Sequence, residues 1–185
     1  MRIVGGRWKG RGLAALGSGD TAAHLRPTAD RVRESLFNIL EHGDFPPLAE
    51  ARVLDLFAGT GALGFEALSR GAARALFVDD GVKARALLRD NMDRLGATGI
   101  AKIYRRDATR LGQNRAAPYG LIFLDPPYGK GLGERALASA RDGDWLAAGA
   151  VIVWEEGGDV AVPEWAEPVD TRRQGETVLR FLRIR

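Results

Sequence analysis

Short apolar runs, each followed by a stretch with helical spacing, fill the middle of this 185-residue chain. The runs predict strands at about 52–57, 74–79, 101–105, 120–125 and 149–154. Strands that alternate with helices are typical of a parallel sheet. The end of the chain breaks this pattern, because 169–173 and 177–184 are strand-like and are joined by the tight turn Gln174-Gly175-Glu176. Such a pair predicts an antiparallel hairpin, which brings the expected sheet to seven strands.

An amphipathic helix is predicted ahead of the first strand, from about Thr28 to Glu41. Its apolar face comprises Val32, Leu36, Ile39 and Leu40. Arg31 and Arg33 lie off that face. We therefore divide the chain into 1–45, a basic arm and a helix that packs on the core, and 46–185, the sheet domain.

The tetrapeptide Asp125-Pro126-Pro127-Tyr128 stands at the end of the fourth predicted strand. Ligands of open α/β sheets lie beyond the carboxyl ends of the strands, so this segment is expected to face a pocket. Two consecutive prolines stiffen the chain and leave carbonyl groups without helical hydrogen bonds. The Asp125 carboxylate and a proline carbonyl can accept both hydrogens of a planar amine while Tyr128 stacks on the attached ring. The motif predicts a catalytic site for the exocyclic amine of an aromatic base, and its alternative is an ordinary turn after a strand.

A glycine-rich turn follows the first predicted strand, with G-x-G-x-x-G spacing at Gly59, Gly61 and Gly64. This spacing lets the backbone approach a nucleotide and lets the next helix pack closely on the strand, but it fits a nicotinamide cofactor nearly as well. Asp55 favours a different ligand, because a carboxylate inside the strand suits ammonium and sulfonium groups better than a pyrophosphate. S-adenosylmethionine carries both groups. The alternative is that Asp55 only accepts hydrogen bonds from nearby backbone NH groups. The turn predicted to bind the cofactor comprises Phe57, Ala58, Gly59, Thr60 and Gly61.

Further carboxylates follow the second and third predicted strands. Asp79 ends the second strand, where an acid binds ribose hydroxyls. Asp80 comes directly before a predicted helix, so it either caps that helix or contacts the cofactor. Asp107 and Ala108 reach the same edge after the third strand, where Asp107 either accepts a hydrogen bond from an adenine amino group or caps the next turn.

Positive charge is concentrated at the start of the chain. The net charge is +3, yet residues 1–33 contain seven Lys and Arg residues and two Asp residues, so the remainder is slightly acidic. A basic, glycine-rich stretch with Trp8 among its cations can follow phosphates and offer one stacking ring, which predicts RNA binding. The alternative is a solvated strand with Trp8 packed on the core. The residues predicted to bind substrate are Arg7, Trp8, Lys9, Arg11, Arg26, Thr28, Arg31 and Tyr128.

The composition narrows the class of protein further. The chain has no cysteine, which excludes disulfides, thiolate metal sites and cysteine catalysis, and its two histidines argue against a zinc site. No apolar run approaches the roughly 20 residues that cross a bilayer, and the basic start lacks the apolar region of a signal peptide. We expect a cytoplasmic monomer with no metal and no membrane contact.

Two motifs together, Asp-Leu-Phe-Ala-Gly-Thr-Gly at 55–61 and Asp-Pro-Pro-Tyr at 125–128, resemble the amino-methyltransferase pattern of S-adenosylmethionine enzymes. More narrowly, the chain resembles the RsmD family, bacterial methyltransferases that act on guanine N2 in small-subunit ribosomal RNA. The segments that carry this narrower resemblance are 2–11, 25–40, 61–71 and 174–177. The family usually has Glu, another residue and then Asp after the second strand, whereas this chain has Asp79-Asp80, an acid shorter by one methylene group.

The resemblance implies a Rossmann-like class I S-adenosylmethionine methyltransferase, with a mostly parallel seven-stranded sheet and a C-terminal antiparallel hairpin. It also implies S-adenosyl-L-methionine as cofactor and 16S ribosomal RNA, in an assembled or assembling 30S subunit, as partner. Hydrogen bonds from the guanine amine to Asp125 and the Pro126 carbonyl would favour a pyramidal nitrogen whose lone pair points at the methyl group. Positioning of this kind contributes of order 7–11 kcal/mol in good intramolecular models.

Three other functions are compatible with parts of the pattern. An adenine-N6 methyltransferase acting on DNA or RNA would use the same tetrapeptide, which holds an amine without identifying its ring. A non-catalytic ribosome-assembly factor could keep the fold, but a degraded tetrapeptide would be expected and here it is intact. A nicotinamide dehydrogenase is opposed by Asp55.

Overall fold

A seven-stranded mixed sheet forms the centre of the protein in a computed structural model that describes residues 1–16 and 29–185. The strands are β1 (Arg52–Leu56), β2 (Arg74–Val78), β3 (Ala101–Tyr104), β4 (Tyr119–Leu124), β5 (Leu146–Glu156), β6 (Ala166–Gln174) and β7 (Thr177–Ile184). Their order across the sheet is β3-β2-β1-β4-β5-β7-β6. The first five run parallel, and β7 is antiparallel to both β5 and β6. The predicted mostly parallel seven-stranded sheet with a C-terminal antiparallel hairpin is therefore confirmed.

Helices cover both faces of the sheet. They are α1 (Asp30–His42), α2 (Ala62–Ser69), α3 (Val82–Leu95) and α4 (Leu132–Asp142). One layer of the core holds residues of α1, α2 and α3, and the other holds residues of α4. The connection from β3 to β4 contains only a short 3-10 turn, Ala108–Arg110, where this architecture usually has a crossover helix. Within residues 1–16 and 29–185, no helix is both long enough and apolar enough to cross a membrane.

The buried face of α1 differs from the prediction. Arg33, expected off the apolar stripe, is 0 % exposed, whereas Val32 and Ile39 are only partly buried. Its guanidinium forms ion pairs with Asp30 and with the buried carboxylate of Glu66, the latter at 3.5 Å. A buried cation needs such partners, because burial otherwise favours the uncharged form. The helix therefore turns a charged residue towards the core to meet a carboxylate of α2.

Glu66 also fixes the amino-terminal arm. Its carboxylate accepts hydrogen bonds from the backbone NH groups of Val4 at 2.9 Å and Gly5 at 2.7 Å, and it pairs with Arg70 Nε at 3.0 Å. Ile3, Trp8 and Leu13 lie in the same core layer as α1 and α2. The first 13 residues thus pack against α2 through buried polar and apolar contacts.

Candidate active site

The carboxyl ends of β1, β4 and β5 bring four carboxylates together. Asp55 lies in β1, Asp125 follows β4 directly, and Glu155 and Glu156 end β5, which neighbours β4. Burial raises the pKa of Asp125 well above its ordinary value, and the charges of Glu155, Asp55 and Glu156 raise it further. So dense a cluster of acids at one edge of a sheet favours a ligand that carries positive charge and donates hydrogen bonds.

The glycine turn between β1 and α2 is shaped by left-handed backbone conformations and close packing. Phe57, Gly59 and Gly61 have φ values of 59°, 58° and 78°. A Cβ atom on Gly61 would lie 2.6 Å from Leu88 Cδ2, and one on Gly64 would lie 2.4 Å from the ring of Phe77. Gly64 therefore allows α2 to approach β2 closely, as its spacing in the sequence indicated.

Asp55 is a buried acid at the base of this turn, with 2 % of its surface exposed. Its Oδ2 accepts a hydrogen bond from Gly64 N at 3.0 Å, so the backbone-bonding alternative holds for that oxygen. None of the residues in 1–16 and 29–185 donates a hydrogen bond to its Oδ1. Burial raises the pKa of Asp55 to about 8, with a smaller contribution from the charge of Asp79, although the bond from Gly64 lowers it.

Asp79 links the end of β2 to the glycine turn. Its Oδ2 accepts from Gly59 N at 2.9 Å and its Oδ1 accepts from Gly81 N at 2.8 Å. Burial raises the pKa of Asp79, and the charge of Asp80 raises it further, whereas these two hydrogen bonds lower it. Asp80 itself is exposed, and the alternative that it caps α3 is wrong, because the capping residue is Gly81 and no side chain caps that helix.

Asp107 caps the turn that follows β3, as one of its two alternatives predicted. Its Oδ1 accepts from Thr109 N at 2.8 Å and from Thr109 Oγ1 at 2.7 Å. Partial burial raises the pKa of Asp107, but these hydrogen bonds together with the charges of Arg110 and Arg135 lower it, and the net shift is downward. The neighbouring Ala108 is buried.

Tyr128 presents a half-exposed ring at the mouth of the site, 43 % exposed. The ring packs against Gly157, where a Cβ atom would lie 2.8 Å from Tyr128 Cδ2. Its hydroxyl donates to Glu155 Oε1 at 3.1 Å and lies 3.3 Å from Thr177 Oγ1. Burial raises the pKa of Tyr128, and the charges of Glu155 and Asp125 add to the shift. The ring is therefore held from β5 and β7 while part of its surface stays open to a ligand.

Sequence reasoning missed Glu155 and Glu156. Glu156 Oε1 accepts hydrogen bonds from Gly157 N at 2.9 Å and from Gly129 N, the residue after the tetrapeptide, at 3.3 Å. The signal was present, because two consecutive acids close an apolar strand at the edge where Asp125 was expected. Within the described residues, no group of three or more His, Cys, Asp or Glu side chains is placed to hold a metal ion.

The cations of the basic arm are exposed at the surface, whereas the indole of Trp8 is buried. Arg7, Lys9 and Arg11 are exposed, and so is Arg31 on α1. Trp8 is 8 % exposed, and the Arg7 guanidinium lies 4.3 Å from the centre of its ring. The prediction that Trp8 offers a stacking ring to RNA is wrong in this structure, because core packing and Arg7 occupy the ring. The predicted contacts Arg26 and Thr28 lie outside the described residues.

A family model, a curated protein and solved structures each match most or all of this chain. The family model described as conserved hypothetical protein 95 matches residues 1–183. Ribosomal RNA small subunit methyltransferase D of Escherichia coli K12 is 41 % identical over 155 residues, which cover 84 % of this chain and 74 % of that protein. The solved structure of Escherichia coli yhhF superimposes with a TM-score of 0.83 at 34 % identity, over 100 % of this chain and 97 % of that one. A crystal structure of an RNA methyltransferase from Salinibacter ruber in complex with S-adenosyl-L-homocysteine shares the fold, with a TM-score of 0.64 at 17 % identity over 86 % and 94 % of the two chains.

Proposed function

The chain belongs to the RsmD family, and on that premise we propose that it transfers the methyl group of S-adenosyl-L-methionine to the exocyclic N2 amine of a guanine in small-subunit ribosomal RNA. The observation that carries this proposal is the placement of Asp125 and Tyr128. Asp125 directly follows β4, and the half-exposed ring of Tyr128 is hydrogen-bonded to Glu155 at the end of β5. Both therefore lie at the carboxyl edge of the sheet, where β1 adds a buried acid and a glycine turn. That is the arrangement a planar aromatic amine and a cationic nucleoside cofactor require.

The residues proposed to hold the cofactor lie on β1 and in the segments that follow β1, β2 and β3. Asp55 offers a carboxylate for the positively charged amino acid portion, and Asp79 offers one for the ribose hydroxyls. The backbone from Phe57 to Gly61 approaches the ligand because its glycines carry no side chain. Asp80, Asp107 and Ala108 are proposed to line the part of the site that holds the adenine of the cofactor. When bound, S-adenosyl-L-methionine supplies the methyl group on a positively charged sulfur.

Asp125 and the Pro126 carbonyl orient the target amine in this proposal. Each accepts one hydrogen of the NH2 group, which turns the nitrogen lone pair towards the methyl carbon. With S-adenosyl-L-methionine bound, the lone pair would form the new N–C bond as the S–C bond broke with its electrons left on sulfur, and the surplus amine proton would then leave to water. Tyr128 stacks on the base, which must be unpaired or flipped out of its helix to reach the pocket. Most of the rate then comes from positioning.

The RNA is proposed to cross the arm. Arg7, Lys9 and Arg11 are exposed cations on a segment that Glu66 anchors, so they can contact phosphates without first being ordered. Membership of the family favours guanine over adenine as the target base. It also favours an assembled or assembling 30S subunit as the substrate. We place this reaction in the cytoplasm, with the enzyme acting as a monomer.

The test is methyl transfer from labelled S-adenosylmethionine to three acceptors: undermethylated small subunits, naked ribosomal RNA and DNA. Nucleoside mass spectrometry identifies the product, and the Asp125→Ala variant is the control for transfer that does not use this site. We expect N2-methylguanosine in RNA. N6-methyladenine would overturn the choice of base, and cofactor binding without transfer to any acceptor would favour an assembly factor.

A further inference from the structure

A groove of about 900 Å³ opens at the edge of the sheet opposite Asp125. Its lining includes Arg52, Arg74 and Tyr119, the first residues of β1, β2 and β4, and Trp145, which directly precedes β5. A six-residue strand such as β4 spans about 20 Å. The groove is therefore a separate surface from the site at the carboxyl ends.

The short connection between β3 and β4 creates this groove. A crossover helix would pack over the sheet here, but residues 105–118 contain only one 3-10 turn. Ala75 and Leu76 of β2 consequently line the groove. Gln113 and Asn114 of the connection form part of its wall.

The lining carries charge of a single sign. Its cations are Arg52, Arg74, Lys102, Arg106 and Arg115. Among the described residues no carboxylate lines the groove, and none of these cations forms an ion pair with another described residue. All of them except the partly buried Arg52 are exposed. Unneutralised cations clustered in a concave surface attract an anionic ligand.

Two of the guanidinium groups are held in place by aromatic rings. Arg52 lies 5.0 Å from the ring centre of Tyr119 and donates to the Ala117 carbonyl at 3.0 Å, and Arg106 lies 5.6 Å from the ring centre of Tyr104. Both tyrosines stack on Trp145, at centroid distances of 5.9 Å and 6.1 Å. These contacts fix the groups without cancelling their charge, so less side-chain freedom is lost when an anion binds.

We propose that this groove binds the phosphodiester backbone of RNA, as a second contact with the substrate remote from the methyl-transfer site. The inference rests on the proposed RNA substrate. A guanidinium group can form paired hydrogen bonds with a phosphate, and five cations in one groove match a chain of phosphates. Tyr119 and Trp145 are buried, so they offer no open face to a base. The contact therefore adds affinity and orientation without reading sequence.

The experiment compares two double variants that lose the same charge. Arg74→Ala/Lys102→Ala removes two exposed cations of the groove, and Arg89→Ala/Arg173→Ala removes two exposed cations of α3 and β6. Binding to naked 16S RNA and to undermethylated small subunits is measured across a range of salt concentrations. S-adenosylhomocysteine affinity reports that each variant is folded, and wild-type transfer to RNA tests the proposed function separately.

For the groove variant we expect the negative slope of log affinity against log salt to become shallower by about 1.5. Its affinity for both acceptors should be several-fold weaker. The control variant should match the wild type in slope. Equal slopes for the two variants, with transfer by the wild type intact, would overturn the groove proposal alone. Loss of binding to subunits with unchanged binding to naked RNA would also overturn it, because the groove would then receive an acidic protein segment. Absence of RNA methylation by the wild type would instead overturn the proposed function.

Discussion

The hydroxyl of Tyr128 donates a hydrogen bond to Oε1 of Glu155 at 3.1 Å, although 27 residues separate the two in sequence. The bond joins the aromatic end of the tetrapeptide to the end of β5, and Gly157 packs against the ring. The orientation of the ring that faces the proposed base is therefore set by a neighbouring strand.

Removing only the hydroxyl should slow transfer less than removing the ring. We expect Tyr128→Phe to lower kcat about fivefold, because one hydrogen bond contributes roughly 1 kcal/mol. Tyr128→Ala should cost about a hundredfold, the scale of a misplaced reacting group. Single-turnover rates with RNA measure both, and cofactor affinity should stay constant. Equal losses in the two variants would show that the ring does not contact the base.

Asp125 should be needed for transfer and dispensable for cofactor binding. We expect Asp125→Ala to abolish methylation while changing the affinity for S-adenosylhomocysteine only a few-fold, as measured by calorimetry. The ionised carboxylate is the form that accepts hydrogen bonds from the amine. Because burial and Glu155 raise its pKa, the wild-type rate should fall on acidification well above the ordinary range of an aspartate.

The Asp125→Asn variant provides the control for that pH dependence. Its amide oxygen still accepts one hydrogen bond but does not titrate, so the residual rate should lose the acidic limb of the profile. An acidic limb that persists in this variant would assign the titration to another group.

The strands, their parallel direction and the position of the tetrapeptide at the end of β4 were predictable because they depend on local apolar runs and on turn residues. Three of the corrected or missed features, namely the buried face of α1, the burial of Trp8 and the role of Glu155, depend on distant partners. Arg33 is buried because Glu66, 33 residues away, meets it in the core. Helical periodicity treats a charged residue as exposed and contains no information about that partner.

The same reason explains two further differences. The burial of Trp8 depends on the hydrogen bond that its backbone NH donates to Ser69 Oγ. The role of Glu155 depends on the hydrogen bond that it accepts from the Tyr128 hydroxyl. The difference at Asp80 is local, because α3 begins after Gly81 with no side-chain cap, and it is Asp79 that accepts a hydrogen bond from Gly81 N. A single sequence shows which residues can form such contacts and leaves their pairing open.

We expect the buried carboxylate of Asp55 to lower the stability of the unliganded protein at alkaline pH and to strengthen the binding of the cofactor. Its pKa is about 8 in the folded protein and near 3.8 when unfolded, so its contribution to stability is full below pH 3.8 and is lost as the pH rises towards 8. Asp55→Asn should remove that loss and raise the melting temperature of the unliganded enzyme at pH 8. The same variant should bind S-adenosylmethionine more weakly. Thermal unfolding at several pH values with and without cofactor measures both effects, and a lower melting temperature at pH 8 would contradict the first.

Asp79 and Asp80 should differ in their effect on the cofactor. Asp79→Ala removes the acceptor of Gly59 N and Gly81 N together with the proposed ribose contact, so we expect the dissociation constant for S-adenosylhomocysteine to rise at least tenfold, in line with about 1.4 kcal/mol or more. The exposed Asp80 is the matched control, and Asp80→Ala should change affinity less. Reversed effects in calorimetry would exchange the two roles.

The arm should contribute to RNA binding through charge. Replacing Arg7, Lys9 and Arg11 with alanine removes three exposed cations, and we expect the salt slope of binding to fall by about 2 to 3 because each phosphate contact releases counterions. The control is Arg7→Lys/Arg11→Lys, which keeps the charge and should retain most of the slope. Since Glu66 holds the arm through the backbone of Val4 and Gly5, the alanine variant should keep its fold and its cofactor affinity. An unchanged slope in the alanine variant would mean that the arm only packs on α2 and that the RNA approaches the site by another surface.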